Sequence, residues 1–476
     1  MATIIIPTPL RKFTDNKAKI ETSGQTIYEA LGELGSLHPD LSKHLFLECG
    51  KLQSFLKVYL GDTDIKKLGG EEAQVQENDV ISIVPAIAGG SGDFSKEELE
   101  RYSRHLIIPE FNIEGQRKLK QTRVLVIGTG GLGAPLLQYL AAAGVGTIGI
   151  VDFDVVEDSN LQRQVLFTQQ DIGRPKVEAA KERIQAQNPH ITINTHNTLF
   201  NSSNALEIAE NYDIIADGTD NFPTRYLVND VSVHLKIPNV YASIFRFEGQ
   251  LTVFNYRGRD GETGPNYRDL FPSPPPPGLV PSCAEGGVIG VLPGILGSLQ
   301  ANEVIKVITG IGEVLSGKLF LFDALNFETR TLKIEKDEDN PLTGKNPSLT
   351  ELIDYEQFCG LNVQKDEKRE NVKEVDVSTL DRWLKGEEDV QLIDVREPFE
   401  YEIANINGQL IPQSEVLEQV DKISLKHKVV IHCRSGKRSA DVIEILQEKY
   451  GFRNLYNLEG GILEWADKID EQLPKY

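Results

Sequence analysis

Hydrophobic and polar positions follow three different rhythms along this chain. In the first 90 residues "TIIIP" and "AKIET" have strand character, and "TIYEALGELGSLHPDLSKHLF" carries helical spacing behind a Thr26 cap. "FLKVYLG" and "DVISIVPAIAGG" then return to strands, so residues 1–90 are predicted to be a small α+β unit closing on Gly89-Gly90. From 94 to 340, short and nearly continuous apolar runs ("RVLVIG", "TIGIVD", "DIIADG", "PNVYAS") alternate with helical stretches. Such runs are buried on both faces, as in a doubly wound parallel sheet. Residues 341–371, rich in charge, Asn and Pro, read as a linker in which "LTELIDYEQF" forms a docked helix. Residues 372–476 form a third α/β unit with strands "VQLIDV" and "KVVIHC". The Pro-rich "LFPSPPPPGLVPS" inside the middle unit excludes regular structure and reads as a surface loop.

Length and composition narrow the class. A chain of 476 residues accommodates about three domains. The net charge of -21 argues against a nucleic-acid partner, which needs a basic face, but leaves room for a local pocket for nucleotide phosphates. No run approaches the roughly 20 apolar residues of a membrane span, and the apolar run in "MATIIIPTPLRKF" is too short for a signal peptide. Cys49, Cys283, Cys359 and Cys433 are scattered without a CxxC pair, which is neither a disulfide framework nor a zinc site. A reducing, cytoplasmic location is the expectation.

"VLVIGTGGLGAPLLQYL" sets Gly128, Gly130, Gly131 and Gly133 between a strand and a helix, where bare backbone and a helix N-terminus receive a phosphate. Asp152 ends the next strand, where an acid binds ribose hydroxyls. To this point an NAD-dependent oxidoreductase fits as well as an ATP enzyme. "SNLQRQ" (Ser159, Asn160, Leu161, Gln162, Arg163, Gln164) and Lys176 of "GRPK" then add cations suited to a triphosphate. Asp220 and Asn221 of "DGTDN" follow a further strand, and a carboxylate there suits Mg²⁺ beside phosphate oxygens.

Together with "RYSRHL", these motifs resemble the MoeB/ThiF adenylyltransferases, relatives of ubiquitin-activating enzymes, over roughly residues 94–335. The resemblance implies adenylation, with ATP and Mg²⁺, of the C-terminal carboxylate of a ubiquitin-like sulfur carrier. It implies that Gly128, Gly130, Gly131, Gly133, Asp152, Ser159, Asn160, Leu161, Gln162, Arg163, Lys176, Asp220 and Asn221 line the nucleotide site, with Asp220 on the metal. It further implies a homodimer in which Arg104 reaches the neighbouring subunit's site. Many members hold structural zinc on two CxxC pairs. Here "NYRD" (Asn266 to Asp269) and "NPLTG" stand in their places, so no zinc is expected, as in the MoeZ-type enzymes.

Cysteine supplies the second chemistry. "VVIHCRSGKRSADV" runs from a strand through Cys433, Arg434, Ser435, Gly436, Lys437 and Arg438 into a helix, aiming backbone N–H groups and cations at one sulfur. With "LIDVREPFEYEIANI" and "NLEGGILEW" this resembles a rhodanese sulfurtransferase domain, implying a persulfide on Cys433 and a structural role for Asp394 and Arg396. Cys283 of "PSCAEGG" is the candidate for a second nucleophile, whereas Cys49 and Cys359 read as packing residues. His105 and His432 are expected to be structural.

Residues 1–90 resemble the β-grasp (ubiquitin-like) sulfur carriers of the MoaD/ThiS and CysO type. The expected cycle runs from adenylation of the Gly90 carboxylate, through attack by the Cys433 persulfide, to a thiocarboxylate. That product would serve molybdopterin, cysteine, thiamine or tRNA-thiolation chemistry. Thiosulfate or a cysteine desulfurase would supply the sulfur. Because an amide joins Gly90 to Ser91, the carrier acts in cis only after cleavage there, or a separate carrier acts in trans. The competing readings are an oxidoreductase on the same sheet and a non-enzymatic scaffold with a docked β-grasp domain.

Overall fold

The computed structural model describes residues 1–11, 13–15, 17–46, 52–53, 56–85, 94–276, 286–360 and 372–476. Cys49, the Gly89-Gly90 tail, Cys283 and the second half of the Pro-rich stretch lie outside these. The first sheet has the strand order Lys19–Thr22, Ala2–Ile5, Val80–Pro85, Leu56–Leu60, Thr63–Asp64. The first and last strands in chain order, Ala2–Ile5 and Val80–Pro85, pair in parallel within it. Helix Ile27–Leu37 buries Ile27, Ala30, Leu31 and Leu34, and Thr26 caps it by accepting from the Glu29 N–H at 3.2 Å. The single long helix read from the sequence is two helices. Pro39 starts the second, and His38 before it takes φ -131°, ψ 80°, outside the helical region.

The second sheet has eight strands in the order Glu328–Lys333, Lys318–Asp323, Glu248–Phe254, Asn239–Phe245, Ile214–Asp217, Arg123–Ile127, Thr147–Val151, Thr192–His196. The run from Asn239–Phe245 to Thr192–His196 is parallel, and the remaining strands add an antiparallel edge. The chain leaves Arg123–Ile127 toward Thr147–Val151 and later returns on its other side as Ile214–Asp217. This reversal opens a crevice at the carboxyl ends of those strands. Val124, Val126, Ile148 and Ile150, all fully buried, form the core beneath it.

The third sheet, Lys373–Val375, Leu455–Leu458, Lys428–His432, Val390–Asp394, Gln409–Leu410, is parallel throughout. Its central strand, Lys428–His432, delivers Cys433 to the carboxyl end. Asp394 and Arg396 are both fully buried and joined by guanidinium–carboxylate bonds (Nε to Oδ1, 2.9 Å), which secures the loop after Val390–Asp394. Among the described residues, no helix is long and apolar enough to cross a membrane.

A polar clasp ties "NYRD" to "NPLTG", the two stretches where the resemblance leads one to look for zinc ligands. Asn340 donates from Nδ2 to Asp269 Oδ1 (2.7 Å) and Asn266 Oδ1 (3.2 Å), and Asn266 Nδ2 donates to Thr343 Oγ1 (2.9 Å). Beneath it the buried Arg268 donates to both Asp230 oxygens at 2.8 Å, and Tyr355 Oη donates to the same carboxylate at 2.8 Å. Tyr355 thereby fixes helix Tyr355–Phe358 of the linker, and Cys359 is buried in the same cluster. Among the described residues no group of His, Cys, Asp and Glu is arranged to hold a metal. A buried amide that loses its partners costs about 1–3 kcal/mol. Asn340→Ala is therefore expected to lower the calorimetric unfolding transition of the central unit, while EDTA leaves the wild-type transition in place. A chelator-sensitive transition would contradict the clasp.

Candidate functional site

The glycine loop is shaped by steric necessity. Gly128 sits at φ +88°, and a Cβ on Gly133 would stand 2.0 Å from the Gly128 carbonyl oxygen, so helix Gly133–Ala143 can start this close to the strand only with glycine there. One cleft gathers Gly128, Gly130, Gly131, Asp152, Asn160, Arg163, Lys176, Asp220 and Asn221 from separate stretches of sequence. Ser159, Leu161, Gln162 and Gly133 are not in its lining. Ser159 offers its main-chain oxygen to Arg163 Nη1 at 3.1 Å, Leu161 packs on the core, and Gly133 serves packing. Arg104 is exposed on the short helix Ser103–Leu106 and does not line this chain's cleft.

Each charged group in the cleft has a traceable setting. Asp152 accepts from the Thr129 N–H (2.8 Å) and hydroxyl (2.7 Å) on one oxygen and from the Asp154 N–H (3.0 Å) on the other. Lys176 opens helix Lys176–Gln187, where the helix dipole disfavours a cation. The Asp154 carboxylate, 2.9 Å from Nζ, offsets this for a side chain that is almost wholly buried. Asn221 caps helix Phe222–Leu235 by accepting from the Thr224 N–H at 3.0 Å. The exposed carboxylate of Asp220 has no hydrogen-bond partner among the described residues, which suits a hard cation beside phosphate.

Several residues that sequence reasoning passed over complete this site. Thr129 aligns Asp152, and Asp154 holds Lys176. Asp217 accepts from the Thr219 N–H (2.9 Å) and hydroxyl (2.6 Å), pinning the loop that presents Asp220, and burial pushes its carboxyl up. Arg225 donates to Ser243 Oγ at 2.8 Å and to the Thr219 carbonyl at 3.1 Å. Asp217 is visible in sequence as the first acid of "DGTDN"; Arg225, in the first turn of helix Phe222–Leu235, gives no signal.

The second site is closed around one sulfur. Cys433 is 1% exposed; the Gly436 N–H donates to Sγ at 3.2 Å, and Ser439 Oγ lies 3.3 Å from Sγ and 2.6 Å from Asn457 Oδ1. Gly436, at φ +92°, turns the chain into helix Lys437–Tyr450, so that helix's N-terminus faces the sulfur. Arg438 forms a two-pronged pair with Glu400, both bonds 2.7 Å, and Arg434 Nε donates to the main-chain oxygen of Tyr476 at 2.5 Å. Ser435 and Lys437 are exposed. His432, directly before the cysteine, is fully buried; its Nε2 stands 3.7 Å from Asp394, and burial pushes the imidazole down to about 4. His105 bonds to Gln116 at 3.1 Å. Both histidines are therefore structural.

Comparison with known proteins gives three domain matches: the ThiS family over residues 4–90, the ThiF family over 102–343 and the rhodanese-like domain over 376–468. The chain is 48% identical over 396 residues to a probable adenylyltransferase/sulfurtransferase MoeZ of Mycobacterium tuberculosis, covering 83% of this chain and 99% of that protein. It is 53% identical over 268 residues to a sulfur carrier protein adenylyltransferase of Thermus thermophilus, covering 56% and 99%. An adenylyltransferase and sulfurtransferase MOCS3 of Caenorhabditis briggsae is 40% identical over 398 residues, covering 80% and 98%.

His432 generates a pH dependence. Its imidazole is depressed in the folded state, so between the ordinary value near 6.5 and about 4 the unfolded chain binds a proton that the folded chain refuses. Stability is full above that window and falls as pH drops through it, by roughly 3 kcal/mol at its lower end. Both tryptophans, Trp383 and Trp465, belong to the C-terminal unit and report it alone. The urea midpoint by tryptophan fluorescence is expected to fall from pH 7 to pH 5; a flat midpoint would mean that folded His432 takes the proton freely.

Proposed function

The chain belongs to the ThiF family, and from that premise we propose how its parts divide the work. It is an adenylyltransferase and sulfurtransferase that uses ATP and acts on a sulfur carrier. In this reading residues 94–340 adenylate, 372–476 carry sulfur, 341–371 link the two, and 1–90 are a carrier. What supports it most is the convergence on one cleft of Asp152, Asn160, Arg163, Lys176 and Asp220, at the reversal point of the sheet. The dehydrogenase reading of the glycine loop uses neither these cations nor the sulfur loop.

The carrier's Gly-Gly carboxylate attacks the α-phosphorus of ATP, and pyrophosphate leaves with the electrons of the broken P–O bond. Arg163 and Lys176 neutralise the leaving charge, Lys176 exchanging Asp154 for phosphate. Asp152 holds the ribose. Asp220 would hold Mg²⁺, which offsets phosphate charge when bound. A Cys433 persulfide then attacks the acyl carbon, AMP leaves, and an acyl disulfide remains. A second thiol, with Cys283 the candidate, attacks the Cys433 sulfur and releases the thiocarboxylate. A thiol reductant reduces the resulting Cys433–Cys283 disulfide to two thiols and is itself oxidised, a step that suits a reducing cytoplasm. Thiosulfate or a cysteine desulfurase reloads Cys433. A homodimer supplies Arg104 across its interface.

The two chemistries are separable by substitution. With a carrier supplied in trans, Cys433→Ala is expected to keep ATP–pyrophosphate exchange and to abolish transfer of sulfur from thiosulfate. Asp220→Ala is expected to lower exchange a hundredfold or more, and thiocarboxylate formation on the carrier with it, while thiosulfate-to-cyanide transfer at Cys433 stays at the wild-type level. Persisting sulfur transfer in Cys433→Ala would sink the assignment of the loop. For the fused carrier, mass spectrometry of protein from its native cell is expected to find a fragment ending at Gly90, and finding intact chain alone would restrict the enzyme to carriers in trans.

A further inference from the structure

The segment from Gly461 to Tyr476 grips the sulfur loop at two points. At its start, the Ile462 and Leu463 N–H groups donate to the carbonyls of Cys433 (3.0 Å) and Arg434 (3.2 Å). A Cβ on Gly461 would stand 2.6 Å from both of those oxygens, so the contact has no slack. At its end, the main-chain oxygen of Tyr476 takes the Arg434 Nε–H at 2.5 Å. The Tyr476 ring lies between two guanidiniums, with Arg434 5.6 Å and Arg396 5.8 Å from its centre. Its hydroxyl bonds Arg396 and lies 3.2 Å from Glu400 Oε1, the carboxylate that grips Arg438. Leu473 and Ile469 anchor the segment in the core of the unit.

Tyr476 thus touches one of the loop's arginines directly and the other through Glu400. We infer that Tyr476 is a positioning residue for sulfur transfer: it holds the Arg434 guanidinium at the mouth of the Cys433 loop, where an anionic sulfur donor is received. The inference rests on the assignment of Cys433 as the sulfur carrier site. In the loading step the Cys433 thiolate attacks the outer sulfur of thiosulfate; the S–S bond breaks, sulfite leaves with its electron pair, and a persulfide anion remains on Cys433. The donor is doubly charged, so a fixed cation acts chiefly on its capture. An arginine released from its tether recovers rotamer freedom that donor binding must remove again.

The test is steady-state transfer from thiosulfate to cyanide by the full chain. Tyr476→Ala is expected to raise KM for thiosulfate about tenfold with kcat within twofold. Tyr476→Phe, which unlike Tyr476→Ala keeps the ring beside the Arg434 guanidinium, is expected to stay within threefold of wild type. In an Arg434→Ala background the Tyr476→Ala penalty is expected to vanish, because the tyrosine then has nothing to hold. Additive effects of the two substitutions would overturn the inference, as would wild-type kinetics in Tyr476→Ala. A loss confined to kcat that tracks a lower tryptophan-monitored unfolding midpoint would overturn it too, by reducing Tyr476 to packing. If Tyr476→Ala fails to fold, Tyr476→Leu replaces it in the same cycle. Cys433→Ser separates the two levels: turnover retained there defeats the loop assignment itself, whereas a dead Cys433→Ser beside a wild-type Tyr476→Ala defeats only the role of Tyr476.

Discussion

The nucleotide cleft depends on two backbone turns meeting without side chains between them. Gly128 and Gly218 end neighbouring parallel strands, and a Cβ on Gly128 would lie 3.1 Å from the Gly218 carbonyl oxygen. A side chain there would have to push that oxygen aside and would be strained by the positive φ of Gly128. The Gly218 N–H also donates to the Ile127 carbonyl at 2.9 Å, locking the two turns together. Everything that faces the cleft is placed from this crossing. Asp152 stands one strand to one side, Asp217 and the loop to Asp220 stand on the other, and helix Gly133–Ala143 rises between them.

The sulfur site uses the same device with the opposite outcome. In both places a parallel strand ends, a glycine with positive φ turns the chain, and a helix N-terminus faces the reacting group. At Gly128 the turn is left open to the cleft. At Cys433 it closes so tightly that the thiol is buried, and the flanking arginines are spoken for by Glu400 and Tyr476. One turn therefore opens onto a cleft, while the other encloses a single polarisable atom with its flanking arginines already paired.

Much of this was legible in the residue order. Gly128, Asp152, Arg163, Lys176 and Asp220 announce themselves through fixed spacing from strand ends, and strand ends follow from runs of buried apolar residues. The loop from Cys433 to Arg438 is contiguous and so is read whole. What escaped is non-local. Thr129 matters because Asp152, a strand away, bends back to it, and Arg225, in the first turn of helix Phe222–Leu235, because it reaches Ser243 on a neighbouring strand. Tyr476 meets Arg434 across 42 positions, a separation no periodicity encodes. The break at Pro39 was readable from proline chemistry but was hidden by good helical spacing on both sides.

The clasp of Asn266, Asp269, Asn340 and Thr343 has a chemical consequence for an enzyme of this kind. Four thiolates on zinc are nucleophiles, open to oxidants and to the same sulfane sulfur that Cys433 must carry. Amides, a carboxylate and a hydroxyl are inert to both. Closed with these hydrogen bonds, the corner holds together without thiolates of its own that could compete with Cys433.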